Sequence, residues 1–275
     1  MEPNKFSINF VKLIPNKLYS KLLSLLRFIL NSKNKHGIHS PFVFDLVTRC
    51  FNKKLLKTKL KEFNSYKKEL ILNNSEIEVT DLGAGSKIFS SNKRKISKIA
   101  RHAGISNKRA KLLLKLIRYF KPNNILEIGT SLGLSTSILS IANSSAKITT
   151  LEGCKQTAKV ANEMFQKHNF NNIELVIGNF EATLPKVLKN KIFDFIYFDG
   201  NHTKKGTLKY FELSLNSINN NSVLLFDDIH WKKEMEEAWE EIKNHPKVRV
   251  TIDTYQWGFV FFRKEQQKEH FIIRV

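Results

Sequence analysis

The sequence contains only two cysteines, Cys50 and Cys154, which lie far apart and form no CxxC spacing. Neither a disulfide framework nor a structural zinc site is therefore expected, and a reducing cytoplasm suits such a chain. No uninterrupted apolar run reaches the roughly 18 residues of a membrane span. The N-terminus also lacks the short apolar core and small-residue cleavage site of a secretory signal. These absences predict a cytoplasmic protein.

Acidic residues are scarce beside basic ones: 25 Asp and Glu stand against 46 Lys and Arg, a formal net charge of +21. Such a charge attracts nucleic acid or anionic lipid. A sequence-wide preference for Lys and Asn, with the charge spread over solvated faces, gives the same composition. The aromatic-plus-glycine signature of a common RNA-binding module is absent, so nucleic acid is not the favoured partner.

Residues 17–30 place apolar side chains at helical spacing with a wide apolar face, which predicts an amphipathic helix. Two uses are open. The helix could dock on the main domain or on a partner subunit of a homodimer, or it could lie on a membrane surface, as Lys17, Lys21 and Arg27 would favour. The polar stretch that follows contains His36 and His39, which suit either a structural turn or a lid.

The predicted pattern of secondary structure changes at Pro122. Before it, residues 1–120 predict a mostly helical N-terminal extension that supplies lid, substrate-binding or dimer elements. After it, residues 121–275 alternate short β-branched or aromatic runs with helical stretches, which predicts βαβ units in a Rossmann-like, doubly wound, mostly parallel sheet of seven strands. The last two runs have no helix between them and predict an antiparallel hairpin at the sheet edge. The seven runs are 124–128, 147–151, 173–177, 193–198, 223–226, 248–254 and 258–263.

Two glycine-containing segments compete for the nucleotide loop, Asp81–Ser86 and Glu127–Gly133. After Ser86 no second strand ending in a carboxylate arrives before residue 124. After Gly133 a helix leads to a strand that ends at Glu152, about 20 residues on, where a ribose hydroxyl pair is normally bound. The second segment is therefore the predicted cofactor loop.

Gly129 and Gly133 allow a sharp turn and a close approach of backbone to a ligand. Their GxxxG spacing differs from the GxGxxG that sets backbone amides on a dinucleotide pyrophosphate, so a nicotinamide or flavin cofactor is less favoured. The placement of the loop between strand and helix carries more weight than the spacing itself.

Carboxylates and histidines follow two later strands, as Asp199 and His202 after one and as Asp227, Asp228 and His230 after the other. In a doubly wound sheet the carboxyl ends of neighbouring strands lie at the same edge and border one ligand-binding cleft, which we call the mouth. The carboxylates would repel one another there unless a cation, a cationic substrate or protons were shared among them. His202 is the first candidate for a general base and His230 the second, because imidazole titrates near neutral pH. Each could instead cap or anchor a turn.

From Ile125 to about Arg263 the sequence resembles the class I S-adenosylmethionine-dependent methyltransferases, and among them the small-molecule O-methyltransferase branch that includes catechol O-methyltransferase. The resemblance implies that the cofactor is S-adenosylmethionine (SAM), that the glycine loop surrounds its methionine and ribose parts, and that Glu152 binds the ribose hydroxyls. It implies that Gly178, Asn179 and Phe180 flank the adenine. The candidate cofactor-binding residues are Glu127, Gly129, Thr130, Ser131, Gly133, Ser135, Glu152, Gly178, Asn179, Phe180 and Asp199.

The same resemblance implies a divalent metal such as magnesium on Asp199, Asp227 and Asp228, since hard oxygen ligands suit that ion. Asp228 departs from the family, which usually has Asn there. The run Asp199–His202 is also similar to a neighbouring set of methyltransferases in which metal use is not assured. The candidate catalytic residues are His202, Asp199 and His230.

The expected activity is O-methylation of a small or lipid-like acceptor. RNA methylation is the alternative suggested by the basic residues ahead of the domain. A non-catalytic membrane-binding or partner-binding protein of the same fold is a third reading, suggested by residues 17–30. The basic residues are Lys93, Arg94, Lys95, Arg101, Lys108 and Arg109.

Overall fold

The computed structural model describes residues 16–33, 37–54, 60–80 and 91–275, with side chains from residue 22 onward. The Asp81–Ser86 segment and His36 lie outside the described residues. The helices are α1 (Asn16–Asn31), α2 (Pro41–Asp45, continued by a π-helical turn, Leu46–Phe51), α3 (Lys61–Leu72), α4 (Ile96–His102), α5 (Asn107–Phe120), α6 (Leu134–Ala142), α7 (Lys155–Lys167), α8 (Phe180–Leu188), α9 (Lys204–Ser214) and α10 (Lys233–Asn244).

Eight strands form the central sheet in the order β5-β4-β3-β6-β7-β9-β8-β10. Strands β3, β4, β5, β6 and β7 are parallel, β9 is antiparallel to both β7 and β8, and β10 is parallel to β8. A separate two-stranded antiparallel sheet joins β1 to β2. The strands are β1 (Glu76–Glu78), β2 (Lys93–Lys95), β3 (Asn124–Ile128), β4 (Lys147–Glu152), β5 (Ile173–Ile177), β6 (Phe195–Phe198), β7 (Val223–Asp227), β8 (Val250–Asp253), β9 (Trp257–Phe261) and β10 (Glu269–Ile272).

Each face of the large sheet packs into its own apolar core, because successive side chains of a strand point to opposite faces. On one face, Ile196 and Phe198 of β6 pack with residues of α8, α9 and α10. On the other face, Phe195 and Tyr197 of the same strand pack with α6, α7 and the N-terminal helices. The helices ahead of β3 therefore share one continuous core with the sheet, which places them beside the ends of its strands.

Helix α1 docks on the C-terminal part of the chain through two side chains. The Ser24 hydroxyl donates to Glu236 Oε1 at 2.5 Å, and the Phe28 ring lies 5.4 Å from that of Tyr255. Docking on the main domain, one of the uses open from the sequence, is thus present in the structure. Five apolar side chains of α1 stay exposed: Leu22, Leu25, Leu26, Ile29 and Leu30.

Two predictions about the secondary structure need correction. The sheet has eight strands, because Glu269–Ile272 adds one beside β8, so the β8–β9 hairpin is not the outermost element. The second correction concerns the basic residues from about 93 to 103, for which the sequence predicts a helix: residues 93–95 form a strand that pairs with the acidic strand β1, and the helix begins only at Ile96. The α/β class, the mostly parallel sheet, the antiparallel hairpin and the helical N-terminal part are confirmed.

Cys50 and Cys154 are buried free thiols. Among the described residues, no helix combines the length and the apolar character needed to cross a membrane.

Candidate active site

The glycine loop lies where the strand order of the sheet reverses. The chain runs outward from β3 through β4 to β5, then returns to place β6 against the other side of β3. Gly129 follows β3 with φ +112°, and a Cβ at this position would lie 2.5 Å from the carbonyl oxygen of Asp199, which follows β6. Only glycine allows the two strand ends to approach so closely. The reversal point is where doubly wound sheets bind their ligands.

Gly133, like Gly129, has no space for a side chain. Its φ is +75°, and an added Cβ would lie 2.4 Å from the ring of Phe165 and 2.6 Å from the hydroxyl of Tyr66. The same Tyr66 hydroxyl donates to the carbonyl oxygen of Leu132 at 2.9 Å. Since Tyr66 belongs to α3, the N-terminal part of the chain helps to hold the loop in place.

Glu127 lies fully buried beneath the loop. Its Oε2 accepts hydrogen bonds from the hydroxyls of Thr136 at 2.5 Å and Thr150 at 2.6 Å, while its Oε1 has no partner among the described residues. Burial raises the pKa of Glu127 to about 7, although the threonine hydroxyls act in the opposite direction. A buried carboxylate oxygen without a donor is a place where a cationic or N–H-bearing ligand group fits.

Glu152 ends β4 and faces the loop from the neighbouring strand. Its Oε2 accepts from the Ser131 N–H at 2.7 Å, and its Oε1 accepts from the Cys154 N–H at 2.8 Å. Burial raises the pKa of Glu152, and these two backbone donors oppose that rise. Ser131 itself has φ +50°, so the loop is drawn into a left-handed turn toward this carboxylate. Carboxylate oxygens so close to the loop can also accept from vicinal hydroxyls.

Gly178, Asn179 and Phe180 follow the next strand, β5, on the far side of Glu152. The Gly178 N–H donates to the Glu152 carbonyl at 2.8 Å, and Asn179 caps helix α8. The Phe180 ring reaches back toward Gly200, where an added Cβ would lie 2.8 Å from it. These three residues sit at the same edge of the sheet as the loop.

A mouth cavity of about 250 Å³ opens in front of the loop. Five predicted cofactor residues line it, whereas Glu127, Gly133, Glu152 and the 178–180 segment lie beneath or beside it. The five are Gly129, Thr130, Ser131, Ser135 and Asp199. His202, Asp227 and Asp228 complete the wall on the β6 and β7 side, so the predicted convergence of the two strand ends takes place.

The carboxylates share this wall with an arginine. Arg109, in the first turns of α5, donates from one guanidinium nitrogen to Asp227 Oδ1 at 2.6 Å and Oδ2 at 2.9 Å, and lies 3.8 Å from Asp228 Oδ1. Burial alone would lower the pKa of Arg109, but the charge of Asp227 raises it above its ordinary value. Burial, and then the charge and hydrogen bond of Asp227, raise the pKa of Asp199 well above its usual range. The Arg109 guanidinium therefore balances part of the negative charge of the cluster, and the raised pKa of Asp199 favours its protonated form.

A divalent metal does not fit this arrangement. Both oxygens of Asp227 already accept from Arg109, which brings a positive charge to the place where a metal would need to approach. Asp228 is directed to the same guanidinium, and no set of three potential metal-ligating side chains converges among the described residues. The implied metal site on Asp199, Asp227 and Asp228 is thus corrected to an arginine–carboxylate cluster.

The two candidate histidines have different positions. His202 lines the mouth, with φ +42°, and its Nε2 lies 3.9 Å from Asp199 Oδ1. His230 does not line the mouth: its Nδ1 contacts Glu236 at 2.9 Å and its Nε2 contacts Asp253 at 2.8 Å. Because carboxylates occupy both ring nitrogens of His230, we correct its candidate catalytic role to a structural one beneath α1.

The sequence did not identify three residues that the structure brings to the site. Tyr66 supports the loop, His102 lines the mouth, and Arg109 pairs with Asp227. Arg109 was grouped with the basic residues of a possible RNA surface. The only local signal for its inward position is the cap at Ser106, which starts α5 and fixes Arg109 in the first turn of the helix. No sequence pattern links that turn to β7.

Part of the chain is similar to a known family. Residues 126–229 match the family model described as a methyltransferase domain. A search of functionally characterised proteins found no relative that matches.

Many solved structures have the same fold. An S-adenosylhomocysteine (SAH)-bound methyltransferase of Podospora anserina is 16% identical with TM-score 0.57 and covers 83% of this chain and 98% of its own. The O-methyltransferase of Bacillus cereus in complex with SAH is 20% identical with TM-score 0.53 and covers 80% and 97%. An O-methyltransferase of Streptomyces achromogenes involved in tomaymycin synthesis, in complex with SAM, is 16% identical with TM-score 0.51 and covers 80% and 96%.

The solved structures confirm the predicted Rossmann-like fold shared with methyltransferases. The site fits SAM on two observations from the chain itself. Glycines occupy the positions where a side chain would collide with the strand end or with Tyr66, and a buried oxygen of Glu127 lacks a donor.

Proposed function

We propose that this chain transfers the methyl group of SAM to an oxygen atom of a small or lipid-like acceptor, and the match of residues 126–229 to a methyltransferase-domain model supports the proposal. The observation that carries the proposal is the joining of the Gly129 turn to the Asp199 strand end at the reversal point of the sheet. We assign the cofactor to the predicted residues around this loop, with the ribose on Glu152 and the adenine beside the 178–180 segment.

Bound SAM supplies a methyl group on a positively charged sulfur. The acceptor oxygen forms a new C–O bond as the C–S bond breaks, the sulfur keeps that electron pair as a neutral thioether, and the acceptor hydroxyl gives up its proton. The residues of this chain mainly hold the acceptor in line with the methyl group, since positioning supplies much of the rate of such a displacement.

We propose His202 as the base that receives this proton. It lines the mouth, and its Nε2 lies 3.9 Å from Asp199 Oδ1. The nearby guanidinium of Arg109 lowers the cost of forming negative charge on the acceptor oxygen, as oriented donors do elsewhere. A His202→Gln variant should keep cofactor binding and lose turnover.

Binding and transfer can be tested in one series. SAH is titrated calorimetrically into the wild type, into Glu152→Ala, and into a control, Glu174→Ala, on the next strand. We expect the Glu152 variant to bind at least tenfold more weakly and the control to bind as the wild type does. SAM with a labelled methyl group is then offered with hydroxylated acceptors and with the matching amines. Label on the amines and none on the hydroxyl compounds would reject O-methylation.

We propose that residues 1–120 contribute to binding the acceptor and that residues 121–275 bind the cofactor. The described N-terminal helices support this proposal. Two of the basic residues that suggested RNA binding are engaged within the fold, which supports a small acceptor over RNA. Arg109 lines the mouth and pairs with Asp227, and Arg101 donates to the Ile71 carbonyl. Salt-dependent RNA binding accompanied by methyl transfer to RNA would favour the alternative.

The exposed apolar face of α1 favours an additional contact, with a membrane surface or with a second copy of the chain. Its five exposed side chains share a helix whose opposite side is already docked. Liposome flotation and sedimentation, each with and without residues 17–30, separate the two contacts. We also propose a cytoplasmic location, which the two buried free thiols support.

A further inference from the structure

A second cavity, of about 500 Å³, shares Arg109 with the mouth as a lining residue. We call it the acceptor cavity. The floor is apolar and aromatic, and it unites four separate parts of the fold: α1, the end of the π-helical turn, α5, and the β8–β9 turn. The apolar lining residues are Phe28, Phe51, Leu112, Tyr255 and Trp257.

The rim of this acceptor cavity is cationic. Lys108, Lys111 and Lys115 stand at spacings of three and four residues on one face of α5, and Arg274 faces them from the chain segment after β10. No acidic side chain lines the cavity. Lys108 donates to the Val275 backbone oxygen and Lys115 to the Phe51 carbonyl. Lys111 and Arg274 pair with no carboxylate among the residues that the structure describes.

Trp257 and Arg109 also line the cavity. Apolar walls and a cationic rim together define the chemistry of a molecule that would fit it.

We propose that the methyl acceptor is an amphipathic anion. Its apolar body fills the acceptor cavity, its acid group lies on the Lys111 and Arg274 rim, and its hydroxyl lies beside Arg109 at the mouth. The role of the anion as a methyl acceptor rests on the proposed function. The binding of the anion to the cavity does not depend on it. A neutral acceptor of the same shape would leave the rim cations without a partner and would bind more weakly.

Two fluorescent probes of matched shape test the charge preference. 8-Anilinonaphthalene-1-sulfonate is an apolar anion, and N-phenyl-1-naphthylamine is its neutral counterpart. Each is titrated into the full chain, into the Lys111→Glu/Arg274→Glu variant, and into a control, Lys155→Glu/Lys159→Glu, which makes the same charge change on α7. We expect the rim variant to bind the anionic probe roughly tenfold more weakly than the wild type does, as the loss of two exposed charge pairs allows. The affinity of the rim variant for the neutral probe should change less than twofold, and so should the affinity of the control for each probe.

Saturating SAH should leave the anionic probe bound, because the two ligands occupy different cavities. The inference is overturned if the wild type binds no anionic probe, if both probes weaken equally in the rim variant, if the control weakens the anion as much, or if SAH displaces the probe. SAH calorimetry on the same variants keeps the two proposals apart. A wild type that binds the anion and not SAH would reject the methyltransferase mechanism, whereas one that binds SAH and not the anion would reject only the acceptor class.

Discussion

Arg109 donates to both carboxylate oxygens of Asp227, at 2.6 and 2.9 Å, and so ties an N-terminal helix to the end of a central strand. The pair is mostly buried, with 22% of the arginine side chain and 6% of the aspartate side chain exposed. Arg109 also lines both the mouth and the acceptor cavity. One contact thus joins the two parts of the chain, balances the carboxylates and borders both proposed ligand sites.

Replacing Arg109 with alanine should destabilise the protein by about 3–5 kcal/mol, because the substitution leaves the buried charge of Asp227 without a partner. Chemical denaturation measures the loss. Arg118→Ala, on the same helix, serves as the control and should change stability by less than about 1 kcal/mol. The double variant Arg109→Met/Asp227→Leu removes both charges and should recover much of the stability. A single variant no less stable than the control would contradict the assigned role of the pair.

Chelation of divalent metals should leave methyl transfer unchanged, because a guanidinium already occupies the carboxylate oxygens that a metal would need. The measurement is the initial rate with labelled SAM before and after treatment with EDTA, and again after added magnesium. A loss of activity with EDTA that magnesium restores would show that the cluster opens to a metal and that Arg109 moves aside.

Gly133→Ala should destabilise the chain by about 2–4 kcal/mol. The new Cβ would stand 2.4 Å from the Phe165 ring at a backbone φ of +75°, and left-handed strain and overpacking each cost about 1–2 kcal/mol. Gly37→Ala provides a matched control, since its nearest neighbour would be at an ordinary 3.5 Å. Thermal unfolding of the two variants should differ clearly. Equal melting temperatures would mean that the loop can move away from Tyr66 and Phe165.

The buried carboxyl of Glu127 should make stability depend on pH. Its pKa is about 7 in the folded chain against an ordinary 4.5, so between these values the folded state binds a proton that the unfolded state has lost. Stability from this group is therefore present below about pH 4.5 and is lost as pH rises to about 7, by about 3 kcal/mol in total. Glu127→Gln has no ionisable carboxyl at this position. The free energy of unfolding of the variant, measured in denaturant, should therefore increase relative to that of the wild type as pH rises through this window. A difference that stays constant with pH would contradict the raised pKa.

Periodicity and strand-end chemistry were enough to predict the C-terminal domain. Each of the seven predicted runs contains an observed strand to within one or two residues, because buried parallel strands and their connecting helices have strong local patterns. The β10 strand was missed because Glu269–Ile272 mixes two apolar and two polar residues over only four positions and follows a polar turn.

The parts of the site that were not predictable depend on contacts between distant segments. Arg109 and Tyr66 act on Asp227 and Leu132 across 118 and 66 positions of sequence, and no spacing rule reaches that far. His230 shows the reverse case. It follows the correct strand, but the direction of its ring is set by Glu236 and Asp253, which a strand-end rule does not consider. Strand order therefore predicts which loops meet, whereas packing decides which side chains face the mouth.

The most direct test of the central claim is a calorimetric titration of SAH into the wild type and into Gly129→Ala, with Gly37→Ala as the matched control. We expect one SAH per chain in the wild type and in the control. In Gly129→Ala binding should be lost or weakened at least tenfold, because the added Cβ would lie 2.5 Å from the Asp199 carbonyl and force the loop away from the strand end. No heat with the wild type, or unchanged affinity in a folded Gly129→Ala, would contradict the assignment of this loop as the cofactor site.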